Sequence, residues 1–229
     1  ALTSITVLER LNERITFLKT FNILNISTLI RYIPGNIWYI AGRVELFNKH
    51  KISRLASGIS IFLEIAISLL AASSIFLFAL LLGYDLLQIS SFWVIPIIIL
   101  IFIGMQPKIF NTCLNKIYKV IRKKDLQLNW KYENTLELYL LLLTHWIIQG
   151  LAFFFLVKSI YPTSYVSLIP FIGIYAIAWV LSFLTFISPG GLGIKEGIMV
   201  LFLQSFMPVD VAIVISLFSR IVTILHETL

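Results

Sequence analysis

From Ala56 to Leu82 the chain carries a single ionisable side chain, Glu64, among apolar and small residues. A helix over this stretch rises about 40 Å at ~1.5 Å per residue, enough to cross the roughly 30 Å hydrocarbon core of a bilayer with some tilt. The rest of the chain agrees. Hydrophobic residues make up 59%, charged residues 13%, and the mean hydropathy is +0.95, whereas soluble domains carry nearer a quarter charged residues. The expected fold is therefore an all-α, polytopic integral membrane bundle forming one transmembrane domain over residues 1–229.

Apolar segments at 92–105, 136–157 and 165–187 read as further spans, and 194–206 and 209–228 as further apolar helices, the first of them short. Residues 1–25 place Leu8, Leu11, Ile15 and Leu18 at helical spacing, with Glu9, Arg10, Glu13 and Arg14 on other faces. That pattern predicts one amphipathic helix, interfacial or packed, rather than a span. Lys108–Lys131 is the most basic segment, with Lys116, Lys119, Arg122, Lys123 and Lys124 interleaved with Ile109, Leu114, Ile117 and Ile121. It is expected to lie along the membrane surface.

The net charge is +7, but the basic residues fall in the connections instead of forming one patch. Residues 43–54 hold four Lys and Arg, 83–90 none, 107–133 seven and 158–163 one. This alternation predicts that 43–54 and 107–133 face the cytoplasm from an inner or plasma membrane. No aromatic–basic interleaving in a soluble module supports nucleic acid as a partner. Cys113 is the only cysteine, so no internal disulfide forms. The chain begins at Ala1 without Met or a recognisable signal peptide, and stops at Leu229 close behind an apolar segment. Both facts suggest a chain trimmed at its ends.

Two breaks interrupt the apolar pattern. In Ser188-Pro189-Gly190-Gly191-Leu192-Gly193-Ile194-Lys195-Glu196, Pro189 lacks a backbone donor, and Gly190, Gly191 and Gly193 hold a helix poorly. A helix arriving near Phe186 should end there, and a new one should start near Ile194. In a membrane, such a break persists only where protein buries it or a polar cavity adjoins it. Broken helices in transporters present their ends to charged groups. The alternative is a short interfacial loop between two ordinary spans. Residues 26–48 contain the second break, at Pro34-Gly35-Asn36, which reads as a re-entrant hairpin or a kinked helix. A basic residue and a glutamate follow each break, Arg43 with Glu45 and Lys195 with Glu196, which suggests a pseudo-repeat.

Ionisable residues inside a membrane are costly and usually face a bundle interior or a wet cavity. Glu64 is the leading candidate, able to pair with Arg43 or Lys195 and to hold or release a headgroup by changing protonation; the alternative is a structural pair. Arg31, Arg43, Lys195 and Arg220 together would suit a phosphate, although Arg31 also fits a simple interfacial anchor. His145 reads more readily as a packing residue. No HExxH, paired cysteines, Gly-x-Ser-x-Gly or P-loop is present, so no catalytic residue, metal or cofactor is expected.

The run Arg31-Tyr32-Ile33-Pro34-Gly35-Asn36-Ile37-Trp38, then Gly42-Arg43, Ser60 and Glu64, and far downstream Ser188 through Glu196, resembles the lysylphosphatidylglycerol synthase transmembrane family. This is the flippase-like domain of MprF-type proteins, with AglD- and YbhN-type relatives. The likeness extends from about residue 15 to the end, and the order and separation of several motifs carry it. Its matched positions are Pro34, Gly35, Arg43, Glu64, Pro189, Gly190, Gly191, Gly193, Lys195 and Glu196. It implies lipid handling and about two more helices upstream. The soluble aminoacyltransferase domain that follows the membrane part in MprF-type proteins has no counterpart in this sequence, so lysine transfer is not carried over.

The resulting expectation is a flippase-like transporter of an anionic or aminoacylated phospholipid or a polyprenyl-phosphate-linked lipid. Its binding set is Arg43, Glu64, Lys195, Glu196, Pro34, Gly35, Asn36, Gly190, Gly191, Gly193 and Arg220. The rivals are a scaffold that docks a cytoplasmic enzyme through Lys108–Lys131, and the membrane module of a lipid-modifying synthase. A homo-oligomer is compatible with each.

Overall fold

The computed structural model describes residues 1–30, 36–82, 96, 103, 106–122, 130–164, 167–185 and 191–228. These contain nine helices and no strand: α1 (Leu2–Arg10), α2 (Phe17–Ile30), α3 (Asn36–Lys49), α4 (Arg54–Leu81), α5 (Pro107–Arg122), α6 (Tyr132–Ile160), α7 (Leu168–Leu184), α8 (Ile194–Leu203) and α9 (Val209–Thr228). Most of the segment expected to span at 92–105, and Pro34, Gly35 and residues 188–190 of the two breaks, lie outside the described residues.

α4, α6 and α7 pack against one another and form the centre of the bundle. α4 and α6 are each long and apolar enough to cross a membrane. Ser53 starts α4: its extended backbone places its Oγ to accept the Ala56 N–H at 3.2 Å, which satisfies one orphan donor. The inward stripe of α4 includes Ile59, Leu63, Ile67 and Ala71, at the spacing of one helix face. Outward, Phe78 on α4 and Leu140 and Phe155 on α6 are more than half exposed. Large apolar side chains facing out from long helices match a lipid environment better than water.

Small residues set the central packing. A Cβ on Gly173 would meet Phe76 Cα and Ala79 Cβ at 3.3 Å, and one on Gly150 would lie 2.8 Å from Ile172 Cα. Gly173 thus brings α7 onto α4, and Gly150 brings α6 onto α7. Lipid gives helices little hydrophobic reason to associate, so close contact of this kind carries the dispersion energy that holds them.

The N-terminal reading needs correction. Residues 1–25 are not one interfacial helix but α1 and the start of α2, separated by a sharp stop. Asn12 has φ 60°, its N–H donates to Glu9 O at 3.1 Å, and Glu13 N–H donates to Leu8 O at 2.9 Å. This is a Schellman ending, in which the left-handed residue is Asn instead of the commoner Gly. Ser4, Val7 and Leu8 are fully buried, so α1 packs into the bundle against α4. Lys51 closes α3 in the same way, at φ 66° with Ile52 N–H on Phe47 O, and the chain turns directly into α4.

α8 packs on α7 and α9, and α9 reaches back to α2 and α6. α5 is anchored by buried Phe110 and by Asn111 Nδ2, which donates to Trp130 O at 3.1 Å.

Candidate functional site

A cavity of about 610 Å³ lies among α2, α3, α4, α6, α7, α8 and α9. Each helix turns at least one polar side chain toward it. On α4 a polar stripe comprises Ser57, Ser60, Glu64 and Ser68, all buried and spaced three or four apart, with Glu64 and Ser68 lining the space.

Arg43 on α3 reaches Glu64 on α4. Its Nη2 donates to Glu64 Oε2 at 2.6 Å and to Ser4 Oγ at 2.7 Å, and its Nη1 donates to Tyr39 Oη at 3.2 Å. Ser60 Oγ donates to Glu64 Oε1 at 3.3 Å. Tyr39 and Phe47 flank Arg43 at four residues either side, and the guanidinium carbon lies 5.7 Å from the Phe47 ring centroid. Arg43 is only 3% exposed. Three helices are therefore tied by one guanidinium. Its Nε is buried without a hydrogen-bond acceptor among the described residues.

The second pair belongs to the Gly-rich break. Gly191 and Gly193 have φ of 70° and 81°, where L side chains are strained. That backbone turns the chain into α8, whose third residue is Glu196. Glu196 Oε2 accepts the Gly193 N–H at 2.7 Å, and Oε1 faces Arg220 Nη1 on α9 at 3.7 Å. One carboxylate thus caps α8 and ties it to α9.

Lys195 is 7% exposed and lines the cavity, with its Nζ 4.1 Å from the centroid of the Tyr175 ring. No ion pair joins it to a carboxylate among the described residues. Across the cavity Trp146 Nε1 donates to Ser68 Oγ at 3.0 Å, and the Trp146 and Trp179 rings are 4.7 Å apart.

Of the residues singled out from sequence, Arg43, Glu64, Gly191, Lys195 and Arg220 line this one space, and so does His145, which was read as a packing residue. Glu196 and Gly193 build the end of α8 beside it. Asn36 begins α3, and nothing is described of its side chain; Pro34, Gly35 and Gly190 lie outside the described residues. Glu64 pairs with Arg43, not with Lys195. Arg43, counted among the loop cations, is instead buried. The two breaks are alike only in part, because Glu45 is an exposed partner of Arg54 at 3.1 Å, whereas Glu196 is buried.

The sequence reading missed Tyr175, Trp179 and Ser4. Tyr175, Trp179 and Ser182 share one face of α7 at spacings of four and three, a signal that was present but weak in so apolar a helix.

Outward-facing apolar helices around a polar-lined cavity with buried ion pairs define a polytopic membrane protein whose charged groups are turned inward. The chain belongs to the family described as lysylphosphatidylglycerol synthase TM region, whose model matches residues 2–229. That places it among membrane proteins of a lipid-related family. No curated protein and no solved structure matches it.

Proposed function

We propose that the protein is a flippase-like transporter that takes a phosphate-bearing lipid headgroup into the cavity and moves it between leaflets. The observation that carries this reading is the convergence of Arg43, Lys195 and Arg220 on one 610 Å³ space among apolar helices. Cations at membrane depth are expensive unless they serve an anion or a partner. Two of these three have carboxylate partners. In this reading Lys195 meets the headgroup phosphate as a point charge. Arg43–Glu64 and Arg220–Glu196 hold the walls, and the acyl chains stay in the bilayer between helices. With Arg43 set aside as buried, Lys49, Lys51 and Arg54 and the seven Lys and Arg of 107–133 would place the Lys49–Arg54 turn and α5 at the cytoplasmic face.

The test is leaflet exchange in vesicles of phosphatidylethanolamine and phosphatidylglycerol carrying a labelled phosphatidylglycerol. Purified protein should accelerate exchange over protein-free vesicles, and Lys195→Met should return it to that baseline. Equal rates with and without the wild-type protein would end the proposal.

A further inference from the structure

The charges around the cavity do not balance. Among the described residues, Arg43 is matched by Glu64 and Arg220 by Glu196, while Lys195 has no carboxylate. Its ammonium rests on the face of Tyr175. A ring face attracts a cation through its quadrupole but carries no charge to cancel it. The seat therefore fixes the ammonium in position and leaves its charge available.

The charge of each carboxylate is already matched by an arginine. Glu64 already accepts from Arg43 and Ser60, and Glu196 accepts from Gly193 while facing Arg220. Two of the aromatic faces nearest Lys195 are engaged as well: Lys195 covers Tyr175, and Trp179 packs against Trp146 and Phe183. Among the described residues lining the cavity, an incoming ammonium would meet three cations and no acid without a cationic partner. An incoming phosphate would meet Lys195. We infer that Lys195, seated on Tyr175, selects a headgroup whose phosphate charge is not offset by an amine of its own. This rests on the reading that the cavity receives a lipid headgroup, and it chooses the anionic lipid over the aminoacylated or zwitterionic one.

The experiment offers the purified chain an equimolar mixture of phosphatidylglycerol, phosphatidylethanolamine and lysylphosphatidylglycerol, and counts bound lipid by native mass spectrometry. Wild type should enrich phosphatidylglycerol about ten-fold over each of the others, the scale of one well-placed charge. Tyr175→Phe keeps the ring and should keep the preference, whereas Tyr175→Leu should weaken it. Lys195→Met should reduce it to about two-fold or less. Lys195→Glu should turn it toward lysylphosphatidylglycerol, and because two different substitutions are read, one misfolded variant leaves the other to decide. Lipid retained without headgroup preference, or a ten-fold preference surviving in Lys195→Met, overturns this inference alone. If no lipid is retained by any form, the transporter reading falls with it.

Discussion

Arg43 and Glu64 meet at 2.6 Å across two helices, and both are almost fully buried. Loss of one partner leaves the other as an uncompensated buried charge, which typically costs about 3–5 kcal/mol. Glu64→Ala and Arg43→Met should each lower thermal stability in detergent by that order. The double variant Arg43→Met with Glu64→Leu should cost clearly less than the sum. Additive losses would mean that the pair does not act as a unit.

Gly191 and Gly193 separate two effects in one loop. A Cβ at Gly191 would overlap Ser182 Oγ, whereas one at Gly193 meets nothing within 4 Å. Gly193→Ala should cost only the backbone strain of φ 81° and ψ −37°, about 1–3 kcal/mol. Gly191→Ala should cost more, and adding Ser182→Ala should bring it back to the Gly193→Ala level. Unfolding midpoints of the four proteins decide the matter.

Glu196 combines a cap with a charge contact. Glu196→Gln keeps an acceptor for the Gly193 N–H and loses the charge facing Arg220. Glu196→Ala loses both and should be less stable than Glu196→Gln by about 1 kcal/mol, the usual worth of a cap. The amide hydrogen-exchange rate of Gly193 gives a direct reading: it should rise in the alanine variant and change little in the glutamine variant.

The Trp146–Ser68 hydrogen bond joins α6 to α4 beside the cavity at 3.0 Å. Trp146→Phe and Ser68→Ala should each destabilise by about 1 kcal/mol, and the pair should show a coupling of the same order. Independent effects would assign Trp146 to packing alone.

The charged half of this site was legible in sequence because Glu64, the Lys195-Glu196 pair and Arg220 interrupt runs that otherwise carry no charge. The Pro-Gly breaks drew attention to their surroundings for the same reason. Pairing was not legible. Whether Glu64 takes Arg43 or Lys195 depends on how α3 and α8 are rotated about their axes, and a sequence period fixes a face without fixing what opposes it. Tyr175 and Trp179 escaped notice because an aromatic residue in an apolar helix reads the same whether it lines a cavity, a core or lipid. The stop after α1 was overlooked because no Gly or Pro marks it. Asn12 alone supplies the left-handed residue, and Asn is ambiguous in any single sequence.

The short turn between α3 and α4 bears on how the protein is made. α3 ends at Lys49 and α4 begins at Arg54, so Arg43 and Glu64 emerge from the ribosome close together. A lone arginine at the centre of an inserting helix costs ~2.5–3.5 kcal/mol at the translocon. In an insertion assay, α3 alone should integrate poorly, the α3–α4 hairpin well, and the Glu64→Leu hairpin in between. That order would mean that the two helices enter the bilayer as a single hairpin, with membrane integration itself the first check that the ion pair has formed.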